Sequence, residues 1–233
     1  KSDIVTCVSQ SLKEDTLEQF EISKEIEVIP NFIDISKYKI QQKKCLEENL
    51  KSNKEFIITH VSNFRAVKNI KNVILIFNNI QKTIPSKLLM IGEGPEKEMA
   101  EKLCKELSID NKVQFLGNTN QVEKNLCHSD LFLLPSNTES FGLAALEAMA
   151  SKVAVISSNA GGLPEVNIHG NTGYLTDSND IEAMSNYSIL ILSDENKLEE
   201  FKNRAFKKAE TYDINNVVPR YEKIYKKALN SFK

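Results

Sequence analysis

Leu131-Phe132-Leu133-Leu134-Pro135-Ser136-Asn137-Thr138-Glu139-Ser140-Phe141-Gly142-Leu143-Ala144-Ala145-Leu146-Glu147-Ala148-Met149-Ala150 decides the fold. An apolar run stops at a proline, crosses a polar turn and restarts in Leu, Ala, Glu and Met, all strong helix formers. The reading is strand, loop, helix. Ser140 stands where an N-cap is expected, and Gly142 leaves the first-turn amides bare of any Cβ. A buried strand feeding an open helix N-terminus makes an anion site from backbone N–H groups and the helix dipole. Glu139 and Glu147 bracket that terminus. The plainer reading makes one a first-turn acid for the dipole and the other a solvent-facing acid.

The same grammar recurs on both sides. Short apolar runs at 56–61, 88–91, 113–116, 131–134 and 153–156, with a shorter one at 173–175, alternate with helical periodicity such as Ile70, Val73, Ile74, Phe77 and Ile80. Continuously apolar strands alternating with helices predict an α/β fold: a Rossmann-like parallel sheet with helices on both faces. Ligands in such sheets bind outside the carboxyl ends of the strands, so the loops after 61, 91, 116, 134 and 156 share one rim. Residues 1–34 read as strand-helix-strand. Residues 35–54, rich in lysine with glutamates mixed in, read as a linker with a short helix. A Rossmann-like domain over 55–212 and a final helix over 213–233 complete the expected organisation.

The charge balance of 30 basic against 32 acidic residues, net -2, provides no global field for nucleic acid or an anionic membrane. No apolar run approaches the ~18 residues of a membrane span. Cys7, Cys45, Cys104 and Cys127 show neither metal-ligand nor CxxC spacing, so reduced thiols and a cytoplasmic location are expected. The strand-like run already under way at Ile4 predicts a fragment of a longer protein.

On the rim, Ser62-Asn63-Phe64-Arg65-Ala66-Val67-Lys68 offers Arg65 as a fork and Lys68 as a point charge for a phosphate or diphosphate. Gly92-Glu93-Gly94-Pro95 lacks the full GxGxxG pattern and reads as a tight turn. Gly161-Gly162 permits close approach of backbone to a ligand. A nucleotide diphosphate joined to a polyol uses all of these. If both were helical, Glu139 and Glu147 would be ~12 Å apart along the axis. That exceeds both the ~5 Å of a retaining glycosidase pair and the ~9.5 Å limit of an inverting pair. They are placed to grip two ends of one ligand. His60, His128 and His169 lack a nucleophile partner in a hydrolase pattern, and structural or surface roles are expected for them.

Glu139 to Met149 resembles the E-x7-E signature of the retaining glycosyltransferases of the GT-B fold, family 4. The resemblance extends through Ile29-Pro30-Asn31-Phe32-Ile33-Asp34, Gly92 to Pro95, Phe115-Leu116-Gly117 and Ala160 to Val166, nearly the whole chain. Ser62 to Lys68 and Ser140 to Met149 resemble most the members that move GlcNAc from UDP-GlcNAc to L-malate, the first step of bacillithiol synthesis. The resemblance implies that Arg65 and Lys68 hold the diphosphate and Glu147 the ribose hydroxyls. Glu139 would hold the donor sugar, with Ser140 and the amides of Phe141, Gly142 and Leu143 nearby, and the backbone near Thr119 would meet the uracil. Asn63 stands where many members have arginine, and Ser151-Lys152 replaces a common Cys-Gly. Glu139, Lys68 and Arg65 become the catalytic candidates, in a metal-independent transfer with no cofactor beyond the UDP-sugar. The acceptor site belongs to an N-terminal domain of which 1–34 is the remnant, so the fragment alone is expected to be inactive. Other readings remain: UDP-glucose or GDP-mannose used on a lipid or polysaccharide, or a nucleotide-sugar-binding module without turnover. The oligomeric state stays open, a homodimer among the options.

Overall fold

The computed structural model describes residues 4–48 and 55–230. The expected connector residues 49–54 and the last turn of the final helix lie outside them. The chain opens with β1 (Val5–Cys7), α1 (Gln10–Gln19) and β2 (Ile26–Val28), the two strands pairing in parallel. The lysine-rich stretch that follows contains a 14-residue helix, α2 (Ile35–Glu48). Ile35 and Cys45 are buried on it, so a sparse apolar face suffices to dock it.

Then come β3 (Phe56–Val61), α3 (Ile70–Ile80), β4 (Ser86–Ile91), α4 (Lys97–Glu106), β5 (Val113–Gly117), α5 (Val122–Leu126) and β6 (Leu131–Leu134). They are followed by α6 (Leu143–Ala150), β7 (Ala154–Ser158), α7 (Leu163–Val166) and β8 (Gly173–Thr176), and last by α8 (Ile181–Leu192), α9 (Glu195–Glu210) and α10 (Ile214–Asn230). The six strands β3 to β8 form one parallel sheet in the order β5-β4-β3-β6-β7-β8. The Rossmann-like expectation is met, and the order reverses between β3 and β6.

β6 shows why its sequence is apolar throughout. Leu131 and Leu133 pack into one core with Ile58, Val73, Ile74, Phe77 and Leu88. Phe132 and Leu134 face the other, with Ala145, Leu146, Met149 and Val155. A strand covered on both faces has no polar alternation to show. Its start is pinned to β3 by a carboxylate: Ile57 N–H donates to Asp130 Oδ2 at 2.9 Å, and Lys202 Nζ lies 3.0 Å from Asp130 Oδ1. The two side chains are 5% and 12% exposed.

The first unit is joined to this sheet twice. The chain leaves β2 for α2 and returns from α9 into α10, and the two crossings touch. Ile33 N–H donates to the Tyr212 carbonyl at 3.1 Å, Ile214 N–H to the Ile33 carbonyl at 2.8 Å, and Ile35 N–H to Asp213 Oδ2 at 3.1 Å. Ile29, Val217 and Ile224 form a small core under α10.

One expectation is overturned. Cys45 and Cys127 are joined in a disulfide, 82 residues apart in sequence, and only Cys7 and Cys104 are free. Such a pairing has no local signature. Among the described residues no helix is long and apolar enough to cross a membrane.

Candidate active site at the strand-order reversal

Where strand order reverses, the loops leaving two neighbouring strands diverge and open a crevice at their carboxyl ends. Here the loops are 62–69 after β3 and 135–142 after β6. They meet through Asn137 N–H, which donates to the Val67 carbonyl at 2.8 Å.

The first loop is set by a buried histidine. His60 is fully buried; Nδ1 lies 2.8 Å from the Leu133 carbonyl and Nε2 2.7 Å from Ser62 Oγ. A carbonyl only accepts, so Nδ1 carries the proton, and Nε2 accepts from the Ser62 hydroxyl. Ser62 Oγ in turn receives Phe64 N–H at 3.3 Å. Burial lowers the His60 pKa to about 4, which keeps the ring neutral and this chain of donors in order. Phe64 sits at φ 32° with its ring buried. The turn therefore presents Asn63 and Arg65 outward, both exposed, and Lys68 closes it in a 3-10 turn, Ala66–Lys68. Sequence reading assigned His60 a structural role and missed what it orients; His-x-Ser at a strand end is the signal.

Lys68 and Glu139, predicted separately, are brought into contact. Lys68 Nζ donates to Glu139 Oε1 at 2.5 Å, with side-chain exposures of 20% and 12%. Ser136 Oγ donates to the same oxygen at 2.9 Å from full burial. Ser136 was not among the predicted residues.

The start of α6 differs from expectation. Its N-cap is Gly142, at φ 95° with no side-chain cap, and Ser140 stands two residues earlier. The Ser140 carbonyl instead accepts from Ser9 Oγ at 2.6 Å, and Ser9 also caps α1 by accepting from Leu12 N–H. A contact from 131 residues away displaces a local rule. The uncapped α6 N-terminus follows three residues after Glu139, the partner of Lys68. Phe141 and Gly142 are buried at this start, and Leu143 is exposed.

Gly161-Gly162 also serves another purpose than supposed. Gly161 has φ 55°, and a Cβ there would lie 2.0 Å from the Glu139 carbonyl oxygen. Gly162 N–H donates to that same carbonyl at 2.9 Å. The close approach seen is to the backbone of Glu139, which the glycines fix in place. Gly92 and Gly94 likewise press against the Ser62 and Asn63 carbonyls.

Glu147 lies just over one turn into α6, half-buried, hydrogen-bonded by the Tyr38 hydroxyl of α2. Burial first, then the Glu123 charge, push its carboxyl up from the ordinary value, while the Tyr38 hydroxyl opposes them. Glu139 and Glu147 thus have separate partners, Lys68 and Ser136 for the first and Tyr38 for the second. Thr119 lies beyond β5, two strands from the reversal, its Oγ1 taken by Gln121 N–H at 3.1 Å.

The arrangement presents two cations, an uncapped helix start and two carboxylates along one rim. The model of the family "glycosyl transferases group 1" matches residues 41–208. The chain belongs to the group 1 glycosyl transferases. It is 40% identical over 97% of its length to N-acetyl-alpha-D-glucosaminyl L-malate synthase of Bacillus anthracis, of which it covers 60%. Its fold matches sucrose-phosphate synthase from Thermosynechococcus elongatus, with a TM-score of 0.88 at 22% identity over 99% of this chain and 59% of that one. It also matches Anabaena HepE, solved with UDP and glucose, with a TM-score of 0.86 at 22% identity over 97% and 64%. The group 1 sheet of this chain is the GT-B type seen in those transferases.

Proposed function

We propose that this chain is the donor-binding part of a retaining transferase that moves GlcNAc from UDP-GlcNAc to the hydroxyl of L-malate. The observation that carries the reading is the Lys68–Glu139 contact at the strand-order reversal, three residues ahead of the α6 N-cap. The malate synthase similarity supports the choice of substrates, and the HepE complex supports a UDP-sugar. The chain spans 60% of the malate synthase, and we assign the acceptor site to the remainder of the parent protein. In this assignment 1–34 belongs to the acceptor domain, 35–54 links, 55–212 binds the donor and 213–233 crosses back.

In the proposed reaction Lys68 and Arg65 take the diphosphate, and the α6 amides at Phe141, Gly142 and Leu143 face its developing charge. Fixed donors aimed at a departing anion are worth most where water is excluded. Glu139 leaves Lys68 to the phosphate and accepts from sugar hydroxyls, steadied by Ser136. Glu147 accepts from the ribose, and the Thr119 backbone meets the base. Neutralisation by these fixed groups would let the leaving UDP depart without a metal. The malate hydroxyl bonds to the anomeric carbon on the face that UDP leaves; its proton passes to the leaving phosphate.

Calorimetry of the chain with UDP tests the donor half, and no heat of binding overturns it. The intact parent given UDP-GlcNAc and L-malate is expected to release UDP and form the α-glycoside. Release with another acceptor but none with malate overturns the acceptor assignment. UDP binding without turnover by this chain alone fits its share of the parent.

A further inference from the structure

The Cys45–Cys127 pair sits at the end of the sheet opposite the donor rim. Cys45 is on α2, Cys127 follows α5, and the next residue is His128, just ahead of β6. His128 is exposed, and its Nε2 lies 3.6 Å from Cys45 Sγ. The two sulfurs and one imidazole nitrogen all fall within 4.8 Å of one another. Zn–S bonds of about 2.3 Å and Zn–N bonds of about 2.0–2.1 Å at a tetrahedral angle set an N···S edge of about 3.6 Å. The Cys45 Sγ–His128 Nε2 separation already equals that edge, while the two sulfurs, bonded to each other here, must part on reduction to span theirs.

The surroundings suit thiolates. The Gln41 amide nitrogen lies 3.5 Å from Cys45 Sγ and 3.7 Å from Cys127 Sγ, an outer donor shared by both sulfurs. A cavity of about 220 Å³, lined in part by Gln42, Ser129, Asp130 and Lys152, opens beside the sulfurs, with room for water in a fourth position. Lys202 also lines it, its charge balanced by Asp130.

We propose that, when Cys45 and Cys127 are reduced, they and His128 bind one divalent ion of the zinc class. The disulfide form excludes the ion, because both sulfurs are spent on each other. Dithiothreitol reduces the pair: the S–S bond takes two electrons and two protons, and the reagent becomes its cyclic disulfide. Binding then forms two metal–sulfur bonds and one metal–nitrogen bond and releases the two thiol protons to solvent. Either cross-link, S–S or S–metal–S, fastens α2 to the end of α5. Two thiolates and an imidazole are soft enough to prefer zinc over magnesium or calcium.

The test is titration of the chain, reduced with dithiothreitol and desalted under argon, with Co²⁺ and then with Zn²⁺ against a chromogenic chelator. One equivalent is expected, with sulfur-to-cobalt charge-transfer bands and tetrahedral d–d bands. The untreated, disulfide form should bind none at this site. Changing even an outer partner costs about 10–100-fold in metal affinity, so His128→Ala and Cys127→Ser should each lose more than about tenfold. His128 is exposed, so its replacement leaves the fold intact, which far-UV circular dichroism checks. The Cys45→Ser/Cys127→Ser variant retains Cys7 and Cys104. Uptake by the reduced chain no greater than by that variant, or unchanged affinity in His128→Ala, overturns the proposal.

Discussion

Lys68 and Glu139 each stand out in the sequence as site candidates, but their contact does not. Seventy-one residues separate them, and only the parallel pairing of β3 with β6 closes that distance. Glu147 was legible by its spacing from Glu139; its neighbour Tyr38 was not, because α2 docks on α6 through tertiary packing. Replacing Glu147 by Ala is expected to weaken UDP binding by about 1–3 kcal/mol, the cost of a lost charged hydrogen-bond partner, measured by calorimetry. Unchanged affinity would remove Glu147 from the ribose site. His60 predicts a pH effect. Its folded pKa of about 4 lies below the ordinary 6.5, so below pH 6.5 the unfolded chain binds a proton that the folded chain refuses. Stability is therefore full above 6.5 and falls towards 4, losing about 2 kcal/mol between pH 7 and pH 5 through this group. Urea unfolding at both values should show the loss, and His60→Gln should flatten that part of the profile.

Elements were more readable than their ends. The apolar runs located the strands of the main sheet because burial on both faces leaves no ambiguity of period. The start of α6 was misread because Ser140 met every local criterion for a cap while its carbonyl was claimed by Ser9. The loop before α7 carries a sharper test. Gly161 needs φ 55° and tolerates no Cβ against the Glu139 carbonyl. Gly161→Ala should destabilise by about 2 kcal/mol or more and displace Glu139, so denaturant midpoint and UDP affinity should fall together. At the other end of β6, Asp130→Ala leaves the largely buried Lys202 with Glu199, exposed and 3.7 Å away, in place of its close carboxylate. A loss of about 3–5 kcal/mol is expected in urea unfolding, part of it recovered when Lys202 is changed to Met in the same chain.

For the whole molecule, the sequence revealed the layer order and the rim, because alternating strands and helices admit few topologies. It did not reveal how the first unit is attached. Asp34 and Asp213 lie far apart in sequence, yet both serve the first turn of α2, with Ser36 N–H donating to Asp34 Oδ1 and Ile35 N–H to Asp213 Oδ2. Asp213→Ala should cost about 1 kcal/mol, as loss of a cap does, and speed amide hydrogen exchange at Ile35. Exchange unchanged at that amide would show that the crossing holds without the carboxylate.

The paired crossings have a mechanical consequence. Two connections set apart would let the β1-β2 unit shear, twist or lift from the six-stranded sheet, each with its own slack. Here both pass the same point, stitched through Ile33 to Tyr212 and Ile214. Sliding one unit along the other has to break those stitches; swinging about them does not. Of these motions, rotation about that one line is the one that leaves the stitches intact, like a door on its pin. The Ser9–Ser140 contact, with the Gln10 and Ser11 N–H bonds to the Glu165 carboxylate, is a latch on the swinging edge, two residues ahead of the α6 N-cap.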